Sequence, residues 1–295
     1  LGYYNVRLLG GGGNQTGSAF RFVQARNISH TKVLWDRSSS PSFQGNTWRC
    51  NGGDNTSLYD NCSRYSMYDC SFVNCSEPME FDMFTGMTAD KHMMDMWITS
   101  NQFLMPSSQE YRHPIYFSFG DSFGIAASAI KFQNNIARMG VGGSFISITH
   151  CPTPTTGKYD QILLDPNTVY SPSSTALLSL SPLFITVEGD QSNFSNSALT
   201  ITNNYLFTSE TRAGSNPTGF MSEIQPNKIL RSDYNVSRRA GAGSHSFYAG
   251  SSLATWQAAT GKDSNSSEGT SASHNMVTVD WTGFNSAPNS GTGPQ

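Results

Sequence analysis

Charge is what this chain has least of. Asp, Glu, Lys and Arg make up 13% of its 295 residues, about half the roughly 25% of an ordinary soluble protein. The 18 basic and 21 acidic side chains leave a formal net charge of −3, and the basic ones are scattered. A phosphate backbone calls for a basic stripe, so nucleic acid is set aside as a partner. No apolar run approaches the roughly 20 residues that span a bilayer, and no membrane span is expected. Helical periodicity is nearly absent. Cysteine is sparse and odd in number: Cys50, Cys62, Cys70, Cys75 and Cys151 cannot all pair within the chain. Their spacing fits no zinc signature. The start, Leu1-Gly2-Tyr3-Tyr4, has neither an initiator Met nor a signal-peptide pattern, so a processed chain or a fragment is expected.

Ser, Thr, Asn, Gln and Gly take the place of the missing charge. Aromatic residues reach 12%, more than a disordered chain carries. Hydroxyls and amides interspersed with Tyr and Trp suit a surface that hydrogen-bonds and stacks on neutral or weakly acidic sugars. Eight N-x-S/T sequons occur, at Asn14, Asn27, Asn55, Asn61, Asn74, Asn193, Asn235 and Asn265. A secreted eukaryotic protein would invite glycans there, but a chain this rich in Asn and Ser produces most of them by chance.

Short alternating runs dominate, as in Ala19-Phe20-Arg21-Phe22-Val23, Met79-Glu80-Phe81-Asp82-Met83 and Ala198-Leu199-Thr200-Ile201-Thr202. They read as strands of an all-β chain. An apolar strand beside an Asn recurs in Ala25-Arg26-Asn27-Ile28, Phe72-Val73-Asn74-Cys75, Ile98-Thr99-Ser100-Asn101, Phe132-Gln133-Asn134-Asn135, Ile201-Thr202-Asn203-Asn204 and Asp233-Tyr234-Asn235. With Asn51 added, the first intervals are 24, 23, 27 and 33 residues (27→51→74→101→134). They predict a solenoid with coils of roughly 20 to 25 residues and inserted loops. Asn tolerates the left-handed backbone of a tight corner and can stack on itself in a ladder. Cys50 and Cys75 would then lie one coil apart and stack. A jelly roll or other β-sandwich is the competing architecture.

One helix stands out. Ser251-Ser252-Leu253-Ala254-Thr255-Trp256-Gln257-Ala258-Ala259-Thr260-Gly261 has a Ser cap, an Ala/Leu interior and a closing Gly. It would cover the open strand edges of a last coil. No such cap precedes Tyr4-Asn5-Val6-Arg7-Leu8-Leu9, so missing residues or a partner chain are expected to cover the first. The organisation expected is coils over 1–250, a cap over 251–284 and a Gly/Ser/Pro-rich flexible tail over 285–295.

The closing stretch, from Asn203-Asn204-Tyr205 through Ser232-Asp233-Tyr234-Asn235 to Ser252-Leu253-Ala254-Thr255-Trp256-Gln257-Ala258-Ala259-Thr260-Gly261-Lys262-Asp263-Ser264-Asn265-Ser266, resembles right-handed parallel β-helix proteins of the pectate-lyase-like superfamily. The resemblance covers the last third of the chain. It implies an all-β right-handed parallel β-helix, a solenoid with a short C-terminal capping helix. The superfamily holds polysaccharide lyases, glycoside hydrolases, tailspikes and adhesins, so membership leaves the activity open. A homotrimer is what the tailspike likeness implies.

Candidate chemistry concentrates between Glu77 and Asp121. Alternation turns Glu80 and Asp82 to one side of their strand, about 6.5 to 7 Å apart. That separation lies between the retaining and inverting glycosidase ranges, nearer the inverting one. Asp90, His92 and Asp95 are expected on the next loop, and Glu110, Arg112, His113 and Asp121 follow. The catalytic candidates are Glu80, Asp82, Asp121 and Arg112. For a lyase, Lys91, Arg112 and Lys131 are the available bases. Ca²⁺, held by Glu80, Asp82 and Asp121, is the cofactor the resemblance allows. Trp97, Tyr111, His113 and Tyr116 are the candidate sugar-binding residues. Seven methionines between Met79 and Met105 read as core. Gly10 to Gly13 lacks the Lys-Ser/Thr of a phosphate loop, and Gly243-Ser244-His245-Ser246 reads as a loop. The expected protein is an extracellular or virion-surface β-helix that binds polysaccharide, with cleavage an open question. The competing reading is a non-catalytic fibre, shell or adhesin component.

Overall fold

The computed structural model describes residues 2–4, 7–9, 20–23, 26–36, 46–51, 61–75, 77–83, 91–105, 113–119, 125–139, 143–151, 159–171, 183–189, 191, 196–208, 218–222, 224–239, 245–248 and 251–270. The strands come in triplets. The first is β1 (Gly2–Tyr4), β2 (Arg7–Leu9) and β3 (Phe20–Val23); the second is β4 (Arg26–Thr31), β5 (Leu34–Asp36) and β6 (Asn46–Asn51). Next come β7 (Asn61–Tyr68), β8 (Ser71–Val73) and β9 (Glu77–Met83), then β10 (Lys91–Thr99), β11 (Gln102–Leu104) and β12 (Ile115–Phe119). They are followed by β13 (Ile125–Gln133), β14 (Asn135–Arg138) and β15 (Ser144–Cys151), then β16 (Tyr159–Leu164), β17 (Asn167–Ser171) and β18 (Leu183–Gly189). The last triplets are β19 (Leu199–Thr202), β20 (Tyr205–Thr208) and β21 (Thr218–Ser222), and β22 (Ile229–Asp233), β23 (Val236–Arg239) and β24 (His245–Tyr248). Helix α1 (Leu253–Thr260) and β25 (Ser267–Thr270) close the described chain.

Every third strand pairs, always in parallel. The first strands of the triplets form sheet A, the second strands plus β25 form sheet B, and the third strands form sheet C, with 8, 9 and 8 strands. The chain is therefore all-β with stacked parallel sheets and one short helix, an arrangement compatible with a β-helix-like solenoid. The interior is continuous. Inward columns stack like on like: Trp35 on Phe72 at 4.6 Å and Phe72 on Phe103 at 5.2 Å, with Phe184 on Phe220 at 4.7 Å and Phe220 on Phe247 at 5.2 Å. Parallel register puts equivalent side chains directly above one another, which makes offset ring stacking the natural filling. Met79, Met96 and Met105 are buried in this core, as expected.

The Asn ladder exists at the corner between sheets A and B, but with a different membership and period from the sequence series. Its members are Asn101, Asn135, Asn167, Asn204 and Asn235, all buried. Each side-chain amide donates to the Oδ1 of the next, at 3.1, 2.9, 3.0 and 3.2 Å. The steps are 34, 32, 37 and 31 residues, longer than the coil expected from sequence. The residue before the ladder Asn takes the left-handed conformation, as at Ser100, Asn134, Asn203 and Tyr234 (φ 59°, 53°, 58° and 56°). The two roles given to one Asn are thus divided between neighbours. Of the early series, Asn27 and Asn74 are left-handed at other places and Asn51 lies in sheet C. At the ladder corner the earlier coils carry Cys70, whose backbone N–H donates to Asn101 Oδ1 at 3.0 Å, and before it Val33, whose carbonyl accepts from Ser71. Cys50 and Cys75 do not stack: Cys50 lies in sheet C opposite Phe81, and Cys75 follows a sheet B strand as a buried thiol outside any disulfide.

The predicted helix forms over Leu253–Thr260, with Ser252 Oγ accepting from Thr255 N–H at 3.2 Å and Gly261 closing it in the left-handed conformation (φ 68°). Leu253 and Trp256 are buried in the core cluster. The loop expected around His245 is not found there: His245 opens β24. The expected tail over 285–295 and Gly10 to Gly13 lie outside the described residues.

Candidate functional site

Sheet A presents its outer side as a plate. In β10 the buried Met96 and Ile98 bracket Trp97, and in β13 the buried Ile130 and Phe132 bracket Lys131, so both outer side chains face away from the core. Just before this plate five successive strands, β4, β7, β10, β13 and β16, bend at a left-handed residue: Asn27, Arg64, Asp95, Ala129 and Gln161, with φ between 52° and 56°. The bends lie over one another, because the pairs on either side stay in register: Ser63 and Tyr65 opposite Met94 and Met96, then Ser128 and Ile130. Non-glycine residues pay for that conformation, and the register repeats it across these five strands.

One outer row runs straight across the plate. Ser66, Trp97, Lys131, Leu163, Thr200 and Arg231 are successive register partners. Four large apolar or aromatic side chains are exposed among the described residues: Tyr68 at 52%, Trp97 at 55%, Leu230 at 62% and Tyr234 at 49%. All four belong to sheet A or the corner that follows it. They form two islands. At one, Tyr68 lies on the strand next to that of Trp97, diagonally displaced because its register partner is Thr99, and Lys131 Nζ is 5.3 Å from the Trp97 ring centre. At the other, the Arg231 guanidinium lies 6.0 Å from the Tyr234 ring centre. A register shift in β22 gives that strand one extra residue, Leu230, which is pushed outward beside Arg231. Smaller side chains, Leu163 and Thr200, lie between the islands on the row.

The flanking aspartates are engaged at the corner. Asp165 accepts from Asn203 Nδ2 at 2.7 Å. Asp233 accepts from Asn265 N–H and Nδ2 at 2.8 and 2.9 Å and from Tyr234 N–H at 3.0 Å.

The residues singled out by sequence do not converge on one place. Trp97 lies on sheet A. Glu80 and Asp82 lie in β9 of sheet C, next to the buried Met79 and Phe81. Their own side chains are outside the described set. Register puts Glu80 between Arg49 and Tyr116, and Asp82 between Asn51 and Ser118. Further along the Glu80 row, Ser147 and Thr186 are buried, so this face is covered there. His113 stacks on Tyr116 at 5.6 Å, and its Nδ1 lies 2.9 Å from the Ser144 nitrogen and 3.1 Å from the Ser144 carbonyl oxygen. Two expected binding residues thus meet beside Glu80, and the third is on another sheet. Arg112, Tyr111, Asp121, Asp90 and Glu110 lie outside the described residues. His92 and Asp95, expected on a loop, are in β10.

Sequence reading missed Tyr68, Leu230, Arg231 and Tyr234. Tyr68 had a signal: it follows Tyr65-Ser66-Met67 in strict alternation, on the side opposite Met67. Among the described residues no group of three or more His, Cys, Asp or Glu comes together to hold a metal. No described helix is long and apolar enough to cross a membrane. Neither protein-family models, nor curated proteins, nor solved structures gave a match to the chain.

Proposed function

We propose that the chain is a right-handed parallel β-helix of the pectate-lyase-like kind, acting at a cell or virion surface to bind polysaccharide. The hand follows from the general rule that parallel strand connections are right-handed in nearly all cases. The observation that carries the binding reading is the exposure of Tyr68 and Trp97 on adjoining strands of sheet A, with Lys131 over the indole. Exposed rings on a rigid sheet stack on the apolar faces of sugar rings with little side-chain entropy to lose. The hydroxyls and amides around them, such as Ser66, Thr99 and Gln133, supply hydrogen bonds. Cleavage is a separate proposal, resting on Glu80, Asp82, His113 and Tyr116 of sheet C.

Affinity electrophoresis through gels containing acidic and neutral polysaccharides tests the binding reading. At least one polysaccharide is expected to retard the native chain, and Trp97→Ala or Tyr68→Ala to lose roughly tenfold or more in affinity with an unchanged circular dichroism spectrum. Retardation by none, or retention of full affinity by both variants, overturns it. Assays for new reducing ends and unsaturated products, with Glu80→Gln and Asp82→Asn as controls, decide the cleavage proposal.

A further inference from the structure

We infer that the interior of the protein, on the inner side of sheet B in its last coils, holds a small inorganic anion of halide size against Ser171, Thr208, Ser237 and Arg239. The site is enclosed by the sheets and is independent of the polysaccharide-binding reading. It shows first as a break in an inner column. Ser171, Thr208 and Arg239 are successive register partners. The bonds from Met105 N–H to the Arg138 carbonyl and from Met139 N–H to the Tyr170 carbonyl extend the same column back to Met139 and Met105. All five are at most 1% exposed. Two thioethers thus give way to two hydroxyls and a guanidinium. Burial alternates along β17 and β23, so Ser171 turns to the same side as Val169, and Arg239 to the same side as Ser237.

Polar groups this deep are expected to have partners. Thr208 Oγ1 and Ser237 Oγ are buried and make no hydrogen bond. Thr208 is the register partner of Arg239, about 4.8 Å away between strands, and Ser237 precedes Arg239 by two residues on the same face. The hydroxyls can donate, and a guanidinium can do nothing else. Acceptors are scarce on this side. Among the described residues, the inner carboxylates of these coils are Asp263 and Glu268. Asp263 is taken up at the A–B corner by Asn235, Ser266 and Trp256. Glu268 is the register partner of Ser237; its Oε1 takes the Leu253 N–H at 2.7 Å, and burial pushes its pKa up, towards the neutral form. Donors grouped around a buried cation favour an anion over a water, which would bring donors of its own. Enclosure on all sides limits that anion to a single small ion.

Two measurements test the site. The native chain, purified and crystallised in sodium bromide without chloride, is expected to show an anomalous bromide peak in contact with Thr208 Oγ1 and the Arg239 guanidinium. Its thermal midpoint is expected to be about 2–4 °C higher in sodium chloride than in sodium gluconate at equal concentration, because gluconate is too bulky to enter. Thr208→Val keeps the shape of the side chain without the hydroxyl, and Ser237→Ala removes one atom. Both variants are expected to keep the native circular dichroism spectrum and to lose the difference between the two salts. A water or empty space in place of the bromide peak overturns the site. So does a chloride effect of equal size in the native chain and both variants. If Thr208→Val raises the midpoint in both salts, its hydroxyl faces no ligand at all, and the inference again fails.

Discussion

At the level of single residues, the ladder Asn and the left-handed residue before it make opposite demands. Asn167 accepts from Asn135 Nδ2 at 2.9 Å and donates to Asn204 Oδ1 at 3.0 Å and to the Phe132 carbonyl at 2.9 Å. Asn167→Ala strands these buried groups and is expected to cost about 2–4 kcal/mol, read as a lowered denaturation midpoint. Asn134 is exposed with φ 53°, a conformation glycine adopts freely, so Asn134→Gly is expected to change stability by less than about 0.5 kcal/mol. The same burial settles one sequon: Asn235 is a ladder member with its amide committed to Asp263, and a glycan there is incompatible with the folded corner.

Buried His30 gives the chain a pH dependence of known sign. Desolvation lowers its pKa from 6.5 to about 4, so the unfolded chain binds a proton the folded one refuses. The group's stability contribution is fully present above pH 6.5 and falls as the pH drops towards 4, by roughly 3 kcal/mol in all. Denaturation series at pH 7 and pH 4.5 are expected to show the loss, and His30→Leu to flatten the part due to this residue. Cys70 behaves conversely: burial pushes its thiol up to about 12. Thiol reagents at pH 8 are therefore expected to leave Cys70 and the buried Cys75 unlabelled until the chain unfolds.

At the scale of elements, α1 and the turn after it close the ladder. A ladder of primary amides has a direction, since each member donates onward, so its last member must accept without donating. Asp263 meets that demand: a carboxylate is acceptor-only. It is buried and takes Asn235 Nδ2 at 3.0 Å, Ser266 Oγ at 2.6 Å and Trp256 Nε1 at 2.9 Å. Glu268 accepts from the first N–H of α1, at Leu253, at 2.7 Å. Asp263→Ala removes the acceptor shared by Asn235 Nδ2, Ser266 Oγ and Trp256 Nε1 and is expected to destabilise the chain by about 3 kcal/mol. Exposed parallel strand edges promote association, so rising light scattering on warming is the accompanying signature. A variant as stable and monodisperse as the native chain would contradict this account of the cap.

For the whole molecule, the sequence showed an all-β chain with repeated strand-plus-Asn phrases and one capped helix. Alternation along single strands is a local property, and so are the Ser252 and Gly261 signals at the helix ends. The lengths of the coils and the identities of ladder partners were not legible. They depend on which strands lie over one another, and inserted segments of varying length hide that spacing. For the same reason the Asn series beginning at Asn27 mixed residues from different corners.

In alternating strands such as β14 and β17 the sequence alone decided which residues turn inward, because the period of two is written into the order of side chains. It also decided the helix and its cap, whose hydrogen bonds join near neighbours. Tertiary structure alone decided that Trp97 shares a row with Lys131 and Arg231, while His113 and Tyr116 sit beside Glu80 on another sheet. Those neighbours are 30 or more residues apart along the chain. Only the parallel register between coils, set by core columns and the buried amide ladder together, brings them to one face.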